Sequence, residues 1–179
     1  MKKLLVLVTS FLLMFGCMML VSGCGGDKFA GEWVGVGPDT FRGGKLIHRI
    51  KIDKNGSNGK SYMVAWANLD LDSSKPENNA VQLQWRQGNT YRFGGNLNGN
   101  TLTVQTPGST LMFTYQESDK TLHFADPNSG MDIVCKRDDD KHTELHKITD
   151  EMLQKYKESM QNRHPEYTYQ DPQEPGSME

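Results

Sequence analysis

Between Phe29 and Arg137 the chain repeats short runs of alternating apolar and polar residues, broken by turn clusters about every ten residues, the rhythm of an antiparallel sheet folding back on itself. In LIHRIKI, Leu46, His48, Ile50 and Ile52 share one face while Arg49 and Lys51 share the other, because successive side chains of a strand point to opposite sides. The DKNGSNGK that follows holds Asn55-Gly56 and Asn58-Gly59, pairs that take the positive φ of a hairpin turn. Tyr62, Val64 and Trp66 then line one side of a strand predicted from Tyr62 to Asn68. The alternation returns in Val81, Leu83 and Trp85; Tyr91 and Phe93; Leu102 and Val104; Leu111, Phe113 and Tyr115; Leu122 and Phe124; and Met131, Ile133 and Cys135. Between these runs lie QGN, NLNGN, TPGS, ESDK and DPNSG, each suited to a tight reversal. With Gly31 to Val36 the strands number about nine, and a sheet of that size closes into a barrel or folds into a sandwich to protect its edges.

One connection, LDLDSSKPENNA from Leu69 to Ala80, is longer than a hairpin turn and is predicted as a loop with room to cover an opening. After Arg137 the character changes. DDDKH opens a charged linker over residues 138–149, after which Ile148, Met152, Tyr156 and Met160 recur at helical spacing. Thr149 is the expected N-cap, Asp150 and Glu151 suit the positive end of the dipole, and Ile148 and Leu153 have the spacing of a hydrophobic staple. A helix is therefore predicted over 150–162, docked on the sheet. Residues 163–179 contain Pro165, Pro172 and Pro175 with little apolar matter, and are predicted to be disordered.

The N-terminus follows a different logic. Lys2 and Lys3 precede a mostly apolar stretch of 17 residues, Leu4 to Leu20, interrupted by Ser10 and Gly16. A membrane-spanning helix needs about 20 apolar residues, so this stretch has the layout of a secretory signal. It ends in Val21-Ser22-Gly23-Cys24, which resembles the lipobox of bacterial lipoproteins, an aliphatic and two small residues ahead of a cysteine. The resemblance implies a signal peptide over residues 1–23 that is cut before Cys24, a diacylglyceryl group on the Cys24 thiol, and a further acyl chain such as palmitate on the new N-terminus. Residues 24–28 become a short tether. Each buried CH₂ contributes about 0.8 kcal/mol, so two or three chains make the membrane anchor effectively permanent. Gly25 follows the anchor where Asp marks inner-membrane retention; the expected location is the cell membrane or outer membrane, lipid-anchored and extracytoplasmic.

Loss of the first 23 residues leaves 156 of 179, one domain with extensions. Lys2 and Lys3 leave with them, so 18 basic residues face 22 acidic ones, and nothing points to nucleic acid. Cys17 also leaves and Cys24 takes lipid, so Cys135 has no disulfide partner. The domain must stand on its own core, a multi-cysteine zinc site is excluded, and Cys135 reads as a small core hydrophobe. His142 and His146 are four apart, but HTELH lacks the Glu directly after its first His, and a helix capped at Thr149 begins beyond both. DLDSS, from Asp70 to Ser74, starts like a calcium loop yet has Lys75 at its sixth position and Val81 at its twelfth. Asp138, Asp139 and Asp140 read as a solvated linker. No metal site is expected. With neither a nucleophile elbow nor a phosphate loop nor a metalloprotease motif, the expected protein is not an enzyme and carries no cofactor.

Just past the tether, Phe29-Ala30-Gly31-Glu32-Trp33-Val34-Gly35 contains a Gly-x-Trp that is similar to the opening of the lipocalin and wider calycin barrels. In that family the Trp plugs one barrel end and a basic residue near the last strand packs across its ring. The resemblance implies an all-β fold: an antiparallel meander closing into a small lipocalin-like barrel of eight or nine strands over 29–137, with one C-terminal helix. It makes Trp33 the plug and Arg137 its partner, a cation–π contact of about 0.5–2 kcal/mol. At 109 residues the barrel is shorter than lipocalin barrels usually are, and side chains can fill its interior. His48 on the core face is either a satisfied core histidine or a ligand contact. Trp66, Trp85, Tyr91, Phe93, Phe113, Tyr115 and Phe124 fit either a packed core or an aromatic pocket. The ligand-binding candidates are His48, Trp66, Trp85, Tyr91, Phe113 and Tyr115. The expectation is a lipid-anchored binding protein holding a small apolar ligand or envelope component; the alternative is a cell-envelope interaction module, an inhibitor or assembly factor, working through exposed loops such as Leu69 to Ala80.

Overall fold

Strand β1 (Gly31–Asp39) pairs antiparallel with β2 (Lys45–Lys54), and β2 with β3 (Ser61–Ser73). β3 then serves two neighbours. Ser61–Trp66 pair with β5 (Tyr91–Asn98), whereas Leu69–Ser73 pair with β4 (Ala80–Gln87). The meander continues through β6 (Thr101–Gln105), β7 (Thr110–Gln116), β8 (Thr121–Asp126) and β9 (Met131–Asp138), and β9 returns to β1. Eight strands thus close an antiparallel barrel, with β4 outside it. The computed structural model describes residues 27–39 and 45–178. The expected signal peptide, the lipobox and Cys24 lie outside the described residues.

Alternation along the strands sorts the side chains as the sequence predicts. Trp33, Ile50, Leu102, Phe113, Leu122 and Phe124 point inward and are 0% exposed; each contributes about 1.5–3 kcal/mol by leaving water. Gly35 is where β1 makes room for this packing, since a Cβ there would lie 2.7 Å from Cys135 Sγ and 2.8 Å from Ile133 Cγ2. Val34, Ile47 and Leu69 point outward and are buried with Leu145, beside Trp85, Ile148 and Met152, so one helix face covers part of the barrel's outer wall. Among the described residues, no helix is long and apolar enough to cross a membrane.

Three segments differ from the sequence reading: the helix, the 69–80 connection and the C-terminal tail. The helix, α1, spans Thr143–Arg163, not 150–162, because the aspartates expected to form a solvated linker cap it. Asp138 Oδ1 accepts the backbone N–H groups of Glu144 (3.0 Å) and Leu145 (3.3 Å), and Asp139 accepts the N–H (2.9 Å) and hydroxyl (2.7 Å) of Thr143. These carboxylates satisfy donors that the first helical turn leaves open. Thr149 is no N-cap. It is buried within the helix, where its hydroxyl donates back to the carbonyls of Leu145 and His146, a common use of mid-helix threonine.

Nor is Leu69–Ala80 a loop. β3 runs on to Ser73, with Leu69 and Leu71 alternating against Asp70 and Asp72, and Asp72 pairs with Arg86 across the hairpin. The reversal is a tight turn in which Asn78 and Asn79 take φ of 49° and 63° and Glu77 and Ala80 exchange backbone hydrogen bonds, the two-residue geometry that Asn tolerates well. Residues 164–178, expected to be disordered, take defined places as well: β10 (Thr168–Gln170) lies parallel to β4, and Met178 is buried against Ala65 and Ala67.

Candidate functional site

The two barrel ends differ. At one, the Trp33 indole N–H donates to the Phe29 carbonyl at 2.8 Å, and Phe29 and Tyr115 lie with their ring centroids 6.1 Å apart. Arg137 stands 4.3 Å from the Trp33 ring centroid and donates to the carbonyls of Ala30 and, at 2.8 Å, Lys28. Charge over the ring face and a forked donor on two carbonyls together fix the chain's entry into the barrel. Asp27 ties down the same end: Oδ1 accepts the N–H groups of Phe29 (2.9 Å) and Ala30 (3.1 Å), and Oδ2 accepts the Tyr62 hydroxyl (2.7 Å). Burial opposes the Asp27 carboxylate, but these hydrogen bonds outweigh it and hold its pKa below the usual range. Burial, with Asp27 nearby, pushes Tyr62 up to about 12.

At the other end the aromatic side chains are less fully covered. Trp66 Nε1–H donates to His48 Nδ1 at 3.1 Å, and the two rings stack with an interplanar angle of 7°. Because Nδ1 accepts, the neutral ring carries its proton on Nε2. Burial drives the His48 pKa down to about 4, so this pair is a neutral polar element in an apolar setting. Gly37 backs it, since a Cβ there would collide with His48 Nε2. Tyr91, 50% exposed, continues the aromatic surface 6.0 Å from Trp66, and Phe93 stacks on Tyr91. Asn68 is the cross-strand partner of His48, and its Oδ1 is buried with no hydrogen-bond partner among the described residues.

The structure divides the six candidates. His48, Trp66 and Tyr91 come together at the less covered end. Phe113 lies in the packed middle, stacked 4.8 Å from Phe124, between His48 and Trp66 on one side and the plug on the other. Tyr115 belongs to the plug, 6.1 Å from Trp33, and Trp85 is outside the barrel with Leu69 and Met152. Asn68 and Gly37 were not foreseen. Counting by twos from Trp66 reaches Asn68 and from Gly35 reaches Gly37, so strand parity held the signal.

Among the described residues, one group offers three metal-type ligands. Glu32, Asp138 and His142 place one donor atom each within 4.8 Å of one another, beside a cleft of about 480 Å³ lined also by Lys51 and Arg137. Their existing contacts account for the cluster: Asp138 caps α1 and meets His142 Nδ1 at 3.1 Å, while Glu32 meets Lys51 at 3.3 Å. His146 does not converge with His142; the two rings are T-shaped 6.5 Å apart, and His146 faces Glu174 instead. Asp70 and Asp72 stand on β3, where an extended backbone cannot wrap a calcium ion. Neither the protein-family models nor the curated proteins nor the solved structures with which the chain was compared match it.

Proposed function

We propose that this chain is a lipid-anchored, extracytoplasmic binding protein that holds a small, largely apolar ligand at the less covered end of its barrel, without catalysis. The observation that carries the reading is the aromatic edge of His48, Trp66 and Tyr91 opposite the Trp33 plug, half exposed at Tyr91 and backed by the unpartnered Asn68 carbonyl. Ligand sites combine apolar walls with a few polar groups that fix orientation. An apolar body would lie on Trp66 and Tyr91, and a donor on the ligand would reach toward Asn68. The filled middle of the barrel limits the ligand to that end. Anchoring rests on Val21-Ser22-Gly23-Cys24 and the apolar stretch before it.

Native mass spectrometry of the mature protein extracted from its own cell envelope tests the binding reading. The expected spectrum carries the added mass of a small ligand, diminished by Trp66→Ala and unaffected by Trp85→Ala. A spectrum with no added small molecule, or one equally changed by both variants, overturns it. Metabolic labelling with fatty acid tests the anchor, with incorporation expected in the parent chain and lost in Cys24→Ser.

A further inference from the structure

Arg49 lies on the outer face of β2, yet it is 2% exposed. Its Nη1 donates to Gln87 Oε1 and to the carbonyl of Gly176, each at 2.7 Å. Its Nη2 is buried and has no partner among the described residues. Burial disfavours the charged guanidinium, and Glu32 and Asp138 are the charges that support it. A buried donor left open is unfavourable, so the present cover satisfies Arg49 only in part.

That cover is the chain's own C-terminal segment, held by strand pairing and by side-chain contacts such as Lys157 with Asp171 and Tyr156 with Tyr169. Thr168, Tyr169 and Gln170 pair in parallel with Ala80, Val81 and Gln82 on β4, and the Thr168 N–H donates to the Asn79 carbonyl at 2.8 Å. The chain then passes Pro172 and Pro175, which favour an extended path. Two residues after Gly176, Met178 fills the shallow seat left by Ala65 and Ala67 on β3. A strand edge, a buried cation and an apolar seat in line are the elements by which a groove receives an extended peptide.

We propose that this outer groove is a recognition site for an extended segment of a partner protein that presents a carboxylate opposite Arg49 and an apolar side chain two residues further on, and that residues 168–178 occupy it when the partner is absent. The chemistry follows from the open Nη2. A carbonyl uses one prong of the guanidinium fork, whereas a carboxylate takes both as a bidentate, charge-assisted pair. Gly176 meets Arg49 through its carbonyl alone and offers no side chain, and a Cβ there would meet nothing within 4 Å, so the position has room for one. The groove lies on the outer wall, so the proposal is independent of the binding site at Trp66 and Tyr91.

The test uses the full chain and fluorescent peptides of residues 166–178, one unaltered and one carrying Gly176→Asp. The Asp peptide is expected to bind about tenfold more tightly or better, and Arg49→Met in the chain should remove the difference. Equal binding, or no binding by either peptide, overturns the proposal. A second measurement needs no peptide: Gly176→Asp in the full chain should slow hydrogen exchange at the Thr168 amide, and an unchanged rate also overturns it. A stable dimer that the Gly176→Asp peptide fails to dissociate would give the groove to a second copy and overturn the partner reading.

Discussion

The Trp66 indole donates its only N–H to His48 Nδ1, across 3.1 Å and between stacked rings. Each residue satisfies the other's polar atom where burial would otherwise penalise both. The arrangement holds only while His48 is neutral, because a protonated imidazole has no acceptor for the indole N–H.

Acid should therefore destabilise the protein through His48. Its pKa falls from 6.5 to about 4 on burial, so as pH drops the unfolded chain takes up the proton first. Stability from the neutral ring is complete above about pH 6.5, declines between there and about pH 4, and is absent below, a span worth about 3 kcal/mol. Urea unfolding at pH 7, 5.5 and 4 should show this loss in the parent chain and a flatter profile in His48→Gln. Parallel profiles would remove His48 from the account.

Arg137→Met should destabilise the barrel by about 1–2 kcal/mol, through loss of the Trp33 contact and of the donors to the Lys28 and Ala30 carbonyls. Arg137→Lys keeps the charge but not the fork, so it should recover only part. The midpoint of urea unfolding reads the effect, and an unchanged midpoint in Arg137→Met argues against the plug.

Asp138→Ala should loosen the start of α1. Two amides lose their acceptor in a buried place, a cost of about 1–3 kcal/mol. Hydrogen exchange at Glu144 and Leu145 should quicken. Asp150→Asn, inside the helix, should leave those two amides as they are; equal effects would point to general destabilisation instead.

Cys135 should resist thiol reagents in the folded protein. It is 0% exposed, and burial pushes its pKa up to about 12, so thiolate is scarce and shielded. Labelling with an aromatic disulfide should proceed at the rate of unfolding; rapid labelling under native conditions would contradict this packing.

The barrel was legible because the period of two is strict where one face meets a core. The alternation turns His48, Ile50 and Ile52 inward, and the resemblance to calycin barrels pairs Trp33 with Arg137. Legibility failed where charge has a local task. The length of Leu69–Ala80 suggests a loop, although the alternation of Leu69 and Leu71 with Asp70 and Asp72 continues β3. Asp138 and Asp139 suggested a solvated linker, although they reach forward to cap a helix starting at Thr143. Arg49 fell correctly on the outer face, but its burial depends on a distant segment, more than a hundred residues along the chain, whose prolines suggested disorder. Of the site, Trp66, Tyr91 and His48 were named, but which aromatics share an end is a property of closure, beyond any single strand's pattern.

If Cys24 carries the proposed acyl chains, the clasp at Asp27, which binds the amides of Phe29 and Ala30 and the hydroxyl of Tyr62, would set which way the molecule faces. With acyl chains at Cys24, at most about 10 Å of covalent chain would separate the bilayer from that clasp. The plug would then hang against the lipid headgroups while Trp66 and Tyr91 look away from them. Cargo would arrive from the aqueous compartment, and a hydrophobic guest dissolved in the same membrane would have to leave it first.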